Sequence, residues 1–129
     1  CKPYRTDDAC QTCNKECESS YSKTYTEDLR RAKSIYPLKT VVEIQREIME
    51  RGPVVANMYF DSGQIKQFSD QSKVYRCMNT STQMEGHSIR IIGWGMNYWL
   101  VANSWGEKMP TIKLRKGINT CYIEEQMQQ

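Results

Sequence analysis

Residues 86–105 read GHSIRIIGWGMNYWLVANSW, and no other stretch restricts the possible folds of this chain as tightly. Ile89, Ile91 and Ile92 form one apolar run, Tyr98, Trp99, Leu100 and Val101 form a second, and Gly95, Met96 and Asn97 supply turn material between them. Two strand-like runs around a tight turn predict a β-hairpin. Its open end brings together the only histidine of the chain, His87, and Asn103, which lies 16 positions later in an Asn-Ser-Trp triplet. There the Asn103 amide can hydrogen-bond the imidazole and select its tautomer, as a general acid/base requires. Trp105 is placed to roof that bond. Taken alone, a histidine beside a strand is ordinarily an exposed or satisfied side chain, and aromatic residues such as Trp94 and Trp99 are commonly core.

Other segments supply a scaffold. Thr40, Val41, Val42 and Glu43 form a capping-box pattern that predicts a helix start. Val41, Ile44 and Ile48 share one face with Met49 beside them, while Glu43, Arg46, Glu47 and Glu50 are expected to face water. Gly52-Pro53 should end the helix. Residues 54–60 read as a strand, and Ile112 and Leu114 alternate with Lys113 and Arg115 as in a half-buried strand.

The 129 residues allow one small domain, spanning 1–129, that buries about two thirds of its unfolded surface. With 39% hydrophobic residues and a mean hydropathy of −0.72, the composition is lean for a self-sufficient core and fits a fragment of something larger. The first residue is Cys1, and no signal peptide can be read. The uncharged run at residues 91–106 contains Gly and Asn and is too short to span a bilayer, so no membrane partner is expected. A net charge of +3 from 18 basic and 15 acidic residues argues against nucleic acid. The local basic clusters, Arg30-Arg31-Ala32-Lys33 and residues 113–116, read as solvated faces.

Four of the six cysteines, Cys1, Cys10, Cys13 and Cys17, crowd into a disulfide-rich segment at residues 1–28. Such density points to a secreted or lysosomal/endosomal compartment. The Cys10–Cys13 and Cys13–Cys17 spacings also suit a metal, but no histidine or second cysteine pair follows at the distance a zinc module uses. Disulfides are the better reading, and no metal or other cofactor is expected. Asn79-Thr80-Ser81 is a glycosylation acceptor pattern consistent with a secretory route.

Gly86-His87, residues 89–95 and residues 98–105 together resemble the histidine and asparagine blocks of papain-type cysteine proteases, most closely the cathepsin B-like branch. The resemblance implies an α+β fold, the C-terminal, right-hand half of a papain-like protease. That half is an antiparallel sheet or partial barrel with one main helix and a disulfide-rich N-terminal segment. It also implies peptide-bond hydrolysis on peptide or protein substrates, with His87 as acid/base, Asn103 as its orienter and Trp105 as a shield. Ala56, Gly86 and Gln126 would lie along the substrate-binding surface. Cys1-Lys2-Pro3-Tyr4 is similar to the family's Cys-Arg-Pro-Tyr, and by that similarity Cys1 would pair with Cys17. Cys10 and Cys13 match cysteines whose family partners have no counterpart here, and the pairing of Cys77 and Cys121 is left open.

The departures from the family pattern also shape the expectation. The nucleophile sits in a Gly-Ser-Cys-Trp setting at a helix start, whereas the six cysteines here are followed by Lys2, Gln11, Asn14, Glu18, Met78 and Tyr122. The nucleophile therefore belongs to a left-hand, N-terminal domain outside this stretch, and the chain alone is expected to be inactive. Trp105 runs directly into Gly106-Glu107-Lys108-Met109, without the family's following Trp-Gly-x-x-Gly. Residues 5–9 lack the histidines that grip a substrate's C-terminal carboxylate, so dipeptide removal is not expected. Gln126 stands where the branch has an acidic S2 residue, which removes the reason for an arginine preference. The alternative reading is a non-catalytic decoy that binds a peptide or propeptide.

Overall fold

The structure is a computed structural model that describes residues 15–61, 63, 64, 68, 70–77, 84–104, 111–125, 127 and 128. The chain divides into two units, Cys1–Lys33 and Ser34–Gln129.

In the first unit the described residues form a helical turn, α1 (Tyr25–Asp28), that Thr24 and Glu27 close as a capping box. Tyr21 Oη donates to Asp28 Oδ1 at 2.8 Å across the turn. Thr24-Tyr25-Thr26-Glu27 repeats the T-x-x-E signature seen at Thr40, so this turn was readable although its four residues are too few for apolar periodicity. Cys17 is disulfide-bonded. Cys1, its expected partner, lies outside the described residues, as do Cys10 and Cys13.

The second unit runs β1 (Pro37–Leu38), α2 (Val41–Glu50), β2 (Val54–Asp61), β3 (Val74–Tyr75), β4 (Met84–Trp94), β5 (Tyr98–Ala102), β6 (Thr111–Arg115), a short helical turn at Thr120–Tyr122 and β7 (Met127–Gln128). The strands make one sheet in the order β1-β7-β2-β4-β5-β6-β3. Its pairings are antiparallel except for β3, which adds to β6 in parallel, a departure from the all-antiparallel expectation.

Helix α2 starts where the sequence placed it. Thr40 Oγ1 accepts from the Glu43 N–H at 3.2 Å, while the Glu43 carboxylate accepts from the N–H groups of Lys39 and Thr40 at 2.8 and 3.1 Å. Those backbone donors, Lys39 first, hold the Glu43 carboxyl below the ordinary glutamate range. At the other end Gly52 takes φ +107° and donates to Ile48 O at 3.2 Å, a left-handed stop that a side chain would strain. Ile44 is fully buried, and Val41 and Ile48 pack beside it. Glu47 differs from expectation: it is buried because Tyr36 Oη donates to it at 2.7 Å and the Arg51 guanidinium lies 3.5 Å away. Met49 is 77% exposed, one position off the packed face.

The core follows from strand alternation. Val54, Ala56, Met58 and Phe60 point inward from β2, Ile112 and Leu114 from β6, and Trp99 and Val101 from β5. Ile44 covers them from the helix and Ile123 from the C-terminal turn. Cys77 and Cys121, 44 residues apart and both buried, form a disulfide, resolving a pairing the sequence left open. Cys77 N–H also donates to the buried Thr120 Oγ1 at 3.0 Å.

Replacing both Cys77 and Cys121 by alanine is expected to lower unfolding free energy by about 2–4 kcal/mol in denaturant titrations, the usual value for a cross-link of this kind. Thr40→Ala should cost about 1 kcal/mol through the lost cap. The Glu43 contribution has a defined pH sense. Its folded pKa is depressed, so the contribution is complete above the unfolded carboxyl pKa and is lost as pH falls through the folded one. Unfolding curves taken across the acid range should show that limb in the native chain and a shallower one in Glu43→Gln.

Candidate active site

The β4–β5 hairpin turns at Gly95, Met96 and Asn97, with Gly95 N–H donating to Tyr98 O at 2.9 Å. A Cβ on Gly95 would run into the Tyr98 ring, so only glycine fits. The tip is tied down from both sides. Lys116 Nζ donates to Gly95 O at 2.8 Å and stands over the Trp99 ring at 5.6 Å. With its amide oxygen turned toward the two donors, Gln45 of α2 accepts from Trp94 Nε1 at 2.8 Å and Lys116 Nζ at 3.1 Å. The buried Trp99 indole donates to Glu124 Oε1 at 2.8 Å. Part of the basic cluster at residues 113–116 therefore serves this hairpin, since Lys113 also sits 5.4 Å above the Tyr98 ring.

Whether His87 and Asn103 meet depends on register. From the tip, Trp94 pairs with Trp99 and Gly93 with Leu100. Unbroken, that ladder would set Asn103, in phase with the inward Trp99 and Val101, opposite Arg90, and would turn His87 to the other face of the sheet. Instead the register shifts between Ile91 and Gly93, so that Ile91 pairs with Val101 and Arg90 with Ala102. Ile92 is the extra residue of a β-bulge. Continued by one step, the shifted ladder puts Asn103 on the face of Ile89 and His87, diagonal to His87 at about 7–8 Å between Cα atoms, a gap that side chains span.

The side chains do meet: His87 Nε2 lies 2.9 Å from Asn103 Oδ1. The same oxygen accepts from Ser104 N–H at 2.9 Å, which holds the amide with its oxygen toward the ring. Because an amide oxygen can only accept, Nε2 must carry the hydrogen, which makes Nδ1 the basic nitrogen of the neutral ring. The other end of the amide, Asn103 Nδ2, is buried without a hydrogen-bond partner among the described residues, ordinarily a cost of about 1–3 kcal/mol. His87 is half-buried opposite Met58 of β2, and the Phe60 ring stands perpendicular to it, with centroids 6.2 Å apart and planes at 88°.

The remaining sequence candidates fall in different places. Gly86 is exposed opposite Tyr59, whose ring a Cβ at Gly86 would approach to 3.4 Å. Ala56 is fully buried on the core face of β2. The outward neighbour Asn57 instead accepts from Ser88 Oγ at 2.8 Å. Trp105, Gln126 and Asn79 lie outside the described residues. On the outward face a shallow cleft of about 290 Å³ is lined by Tyr59, Met84, Tyr122 and Glu125. Sequence reasoning missed it. Tyr59 could have been found from its outward phase in β2, but Tyr122 reaches the cleft only because Asn119, Cys121 and Tyr122 adopt left-handed backbone, with φ of 48°, 55° and 58°. Among the described residues no cluster of three or more His, Cys, Asp or Glu could hold a metal, and no helix is long and apolar enough to cross a membrane.

The lone histidine makes the tautomer directly measurable. Imidazole nitrogen shifts in the ¹⁵N-labelled chain should report the Nε2–H tautomer of the neutral ring, and Asn103→Ala should produce a tautomer mixture with the fold retained. An unchanged pattern in Asn103→Ala would mean that the amide does not select the tautomer.

Residues 1–129 match the model of the papain family of cysteine proteases. Cathepsin B-like cysteine proteinase 3 of Ostertagia ostertagi is 43% identical over 125 residues, covering 88% of this chain and 67% of that protein. Cathepsin B-like cysteine proteinase 3 of Caenorhabditis elegans is 38% identical over 126 residues, 88% of this chain and 32% of its own length. Among solved structures, proCathepsin B S9 from Trypanosoma congolense superposes with a TM-score of 0.65 at 28% identity, covering 77% of this chain and 35% of that one. This chain therefore spans from about a third to two thirds of the length of these relatives. With the hairpin, the sheet order and these similarities in place, the chain belongs to the papain family of cysteine proteases, within its cathepsin B-like relatives.

Proposed function

We propose that this chain is the right-hand domain of a cathepsin B-like cysteine peptidase and supplies the acid/base half of its active site. The observation that carries the reading is the hydrogen bond of 2.9 Å between His87 Nε2 and Asn103 Oδ1, which leaves proton transfer to Nδ1. In this reading Nδ1 takes the proton of a cysteine thiol, and the thiolate attacks the carbonyl carbon of a peptide bond. The same proton passes from Nδ1 to the departing amine as the carbon–nitrogen bond breaks. Water, deprotonated at Nδ1, then hydrolyses the thioester and restores the thiol. The role of shield for the His87–Asn103 bond is assigned to Trp105 on the family resemblance.

The thiol comes from a left-hand domain outside these 129 residues. Cys17, Cys77 and Cys121 are held in disulfides and have no thiol to offer. Cys1, Cys10 and Cys13 lie in no setting like the family's nucleophile. Peptide substrates run past Gly86 toward the cleft of Tyr59, Met84, Tyr122 and Glu125, and Gln126, standing in the sequence where the branch has an acidic S2 residue, removes that reason for an arginine preference. The disulfides fit a secreted or lysosomal/endosomal protein, the same route on which Asn79 would be glycosylated.

The test is reconstitution. The 129-residue chain alone should neither turn over a fluorogenic dipeptidyl substrate nor be labelled by a thiol-directed epoxide. Joined to a left-hand domain that carries the thiol, it should hydrolyse the substrate, and His87→Ala should lower kcat by about 10²- to 10⁴-fold. Turnover or labelling by the chain alone would refute the divided site. A joined protein that binds peptide tightly without cleaving it would favour the decoy reading.

A further inference from the structure

One hydrogen bond selects the tautomer of an imidazole but leaves its plane open to rotation. At His87 a second restraint is present. Phe60 is 2% exposed and meets the imidazole edge-to-face at 6.2 Å. Phe60 is in turn perpendicular to Phe68, at 6.1 Å and 77°, and Phe68 to Tyr75, at 5.3 Å and 83°. Each ring in this series blocks in-plane sliding of the next. The last ring is anchored by its hydroxyl, which accepts from Asp70 N–H and donates to Asp70 O, both at 2.9 Å. Two residues beyond Tyr75, Cys77 is bonded to Cys121. The series thus runs from a doubly hydrogen-bonded, covalently braced strand end to the imidazole of the site.

We propose that Phe60 is a positioning residue for the His87 imidazole, backed by Phe68 and Tyr75, and that it sets the ring plane while Asn103 sets the tautomer. Phe60 touches no reacting atom. Its loss leaves the Asn103 bond available but lets the ring sample orientations in which Nδ1 no longer faces a nucleophile. The inference rests on the acid/base reading of His87 for its catalytic consequence, but its structural content can be tested without catalysis.

With one histidine in the chain, every imidazole signal belongs to His87. In the unmodified chain, nuclear Overhauser contacts should join the Phe60 ring protons to the imidazole carbon-bound protons, and one set of imidazole signals should be seen. Phe60→Met, which keeps most of the volume without the ring, should broaden or double that set while amide dispersion persists. Tyr75→Phe, which keeps the ring and removes its two hydrogen bonds, should move the signals the same way by less. Absence of the Phe60–His87 contacts in the unmodified chain would overturn the proposal, as would a single unchanged imidazole set in a folded Phe60→Met. In the joined two-domain peptidase, Phe60→Met should lower kcat about 2- to 10-fold at unchanged KM, the scale of one edge-to-face aromatic contact. Ring disorder in Phe60→Met together with no hydrolysis by any joined protein would remove the peptidase reading and leave the positioning role standing.

Discussion

The candidate site depends on one bulged residue. A strand alternates its side chains with a period of two, so a one-residue change in register moves a side chain to the opposite face. Counted from the Gly95 turn, a regular ladder would place Asn103 and His87 on opposite sides of the sheet. The register shift between Ile91 and Gly93 absorbs Ile92 and returns both to the inner face. Hairpin, turn and apolar pattern would all survive without the bulge, but the His87–Asn103 bond would not.

Because the meeting of two side chains depends on register, the ends of the hairpin have to be held. Gln45 from the helix and Lys116 from the end of β6 converge on Trp94 and Gly95 at the tip. Glu124 fastens Trp99 and also accepts from Gly117 and Asn119 N–H at 2.6 and 2.8 Å, gathering the left-handed C-terminal turn against the same strand. Cys77–Cys121 and the Thr120 hydrogen bond close that turn onto the end of β3. The polar groups that stabilise the hairpin thus come from segments distant in sequence, and the site is as rigid as those attachments. Among the described residues, the buried side-chain atom left without a hydrogen-bond partner, Asn103 Nδ2, lies at the site itself.

Much of this was legible in the residues. The T-x-x-E box at Thr40, the Gly52 stop, the alternation of residues 54–60 and of 111–115, and the hairpin turn are local signals, set by capping geometry and by one-sided burial. Glu47 was misread because its helix phase faces solvent in isolation. Tyr36, brought from before the helix, makes its burial favourable together with Arg51, the helix's own C-cap one turn on. The parallel docking of β3 on β6 joins residues almost forty positions apart, beyond any local pattern.

The sequence by itself determined that a histidine and an asparagine would flank a hairpin in an α+β scaffold, because strand periodicity, turn residues and caps act over a few positions. It also carried the papain-type resemblance in those same blocks. Only the tertiary structure decided that the two side chains share a face, that Phe60, Phe68 and Tyr75 stand behind the imidazole, and that Cys77 pairs with Cys121. Each of these depends on register or on contacts between distant segments, where a shift of one residue changes the face and no local preference opposes it.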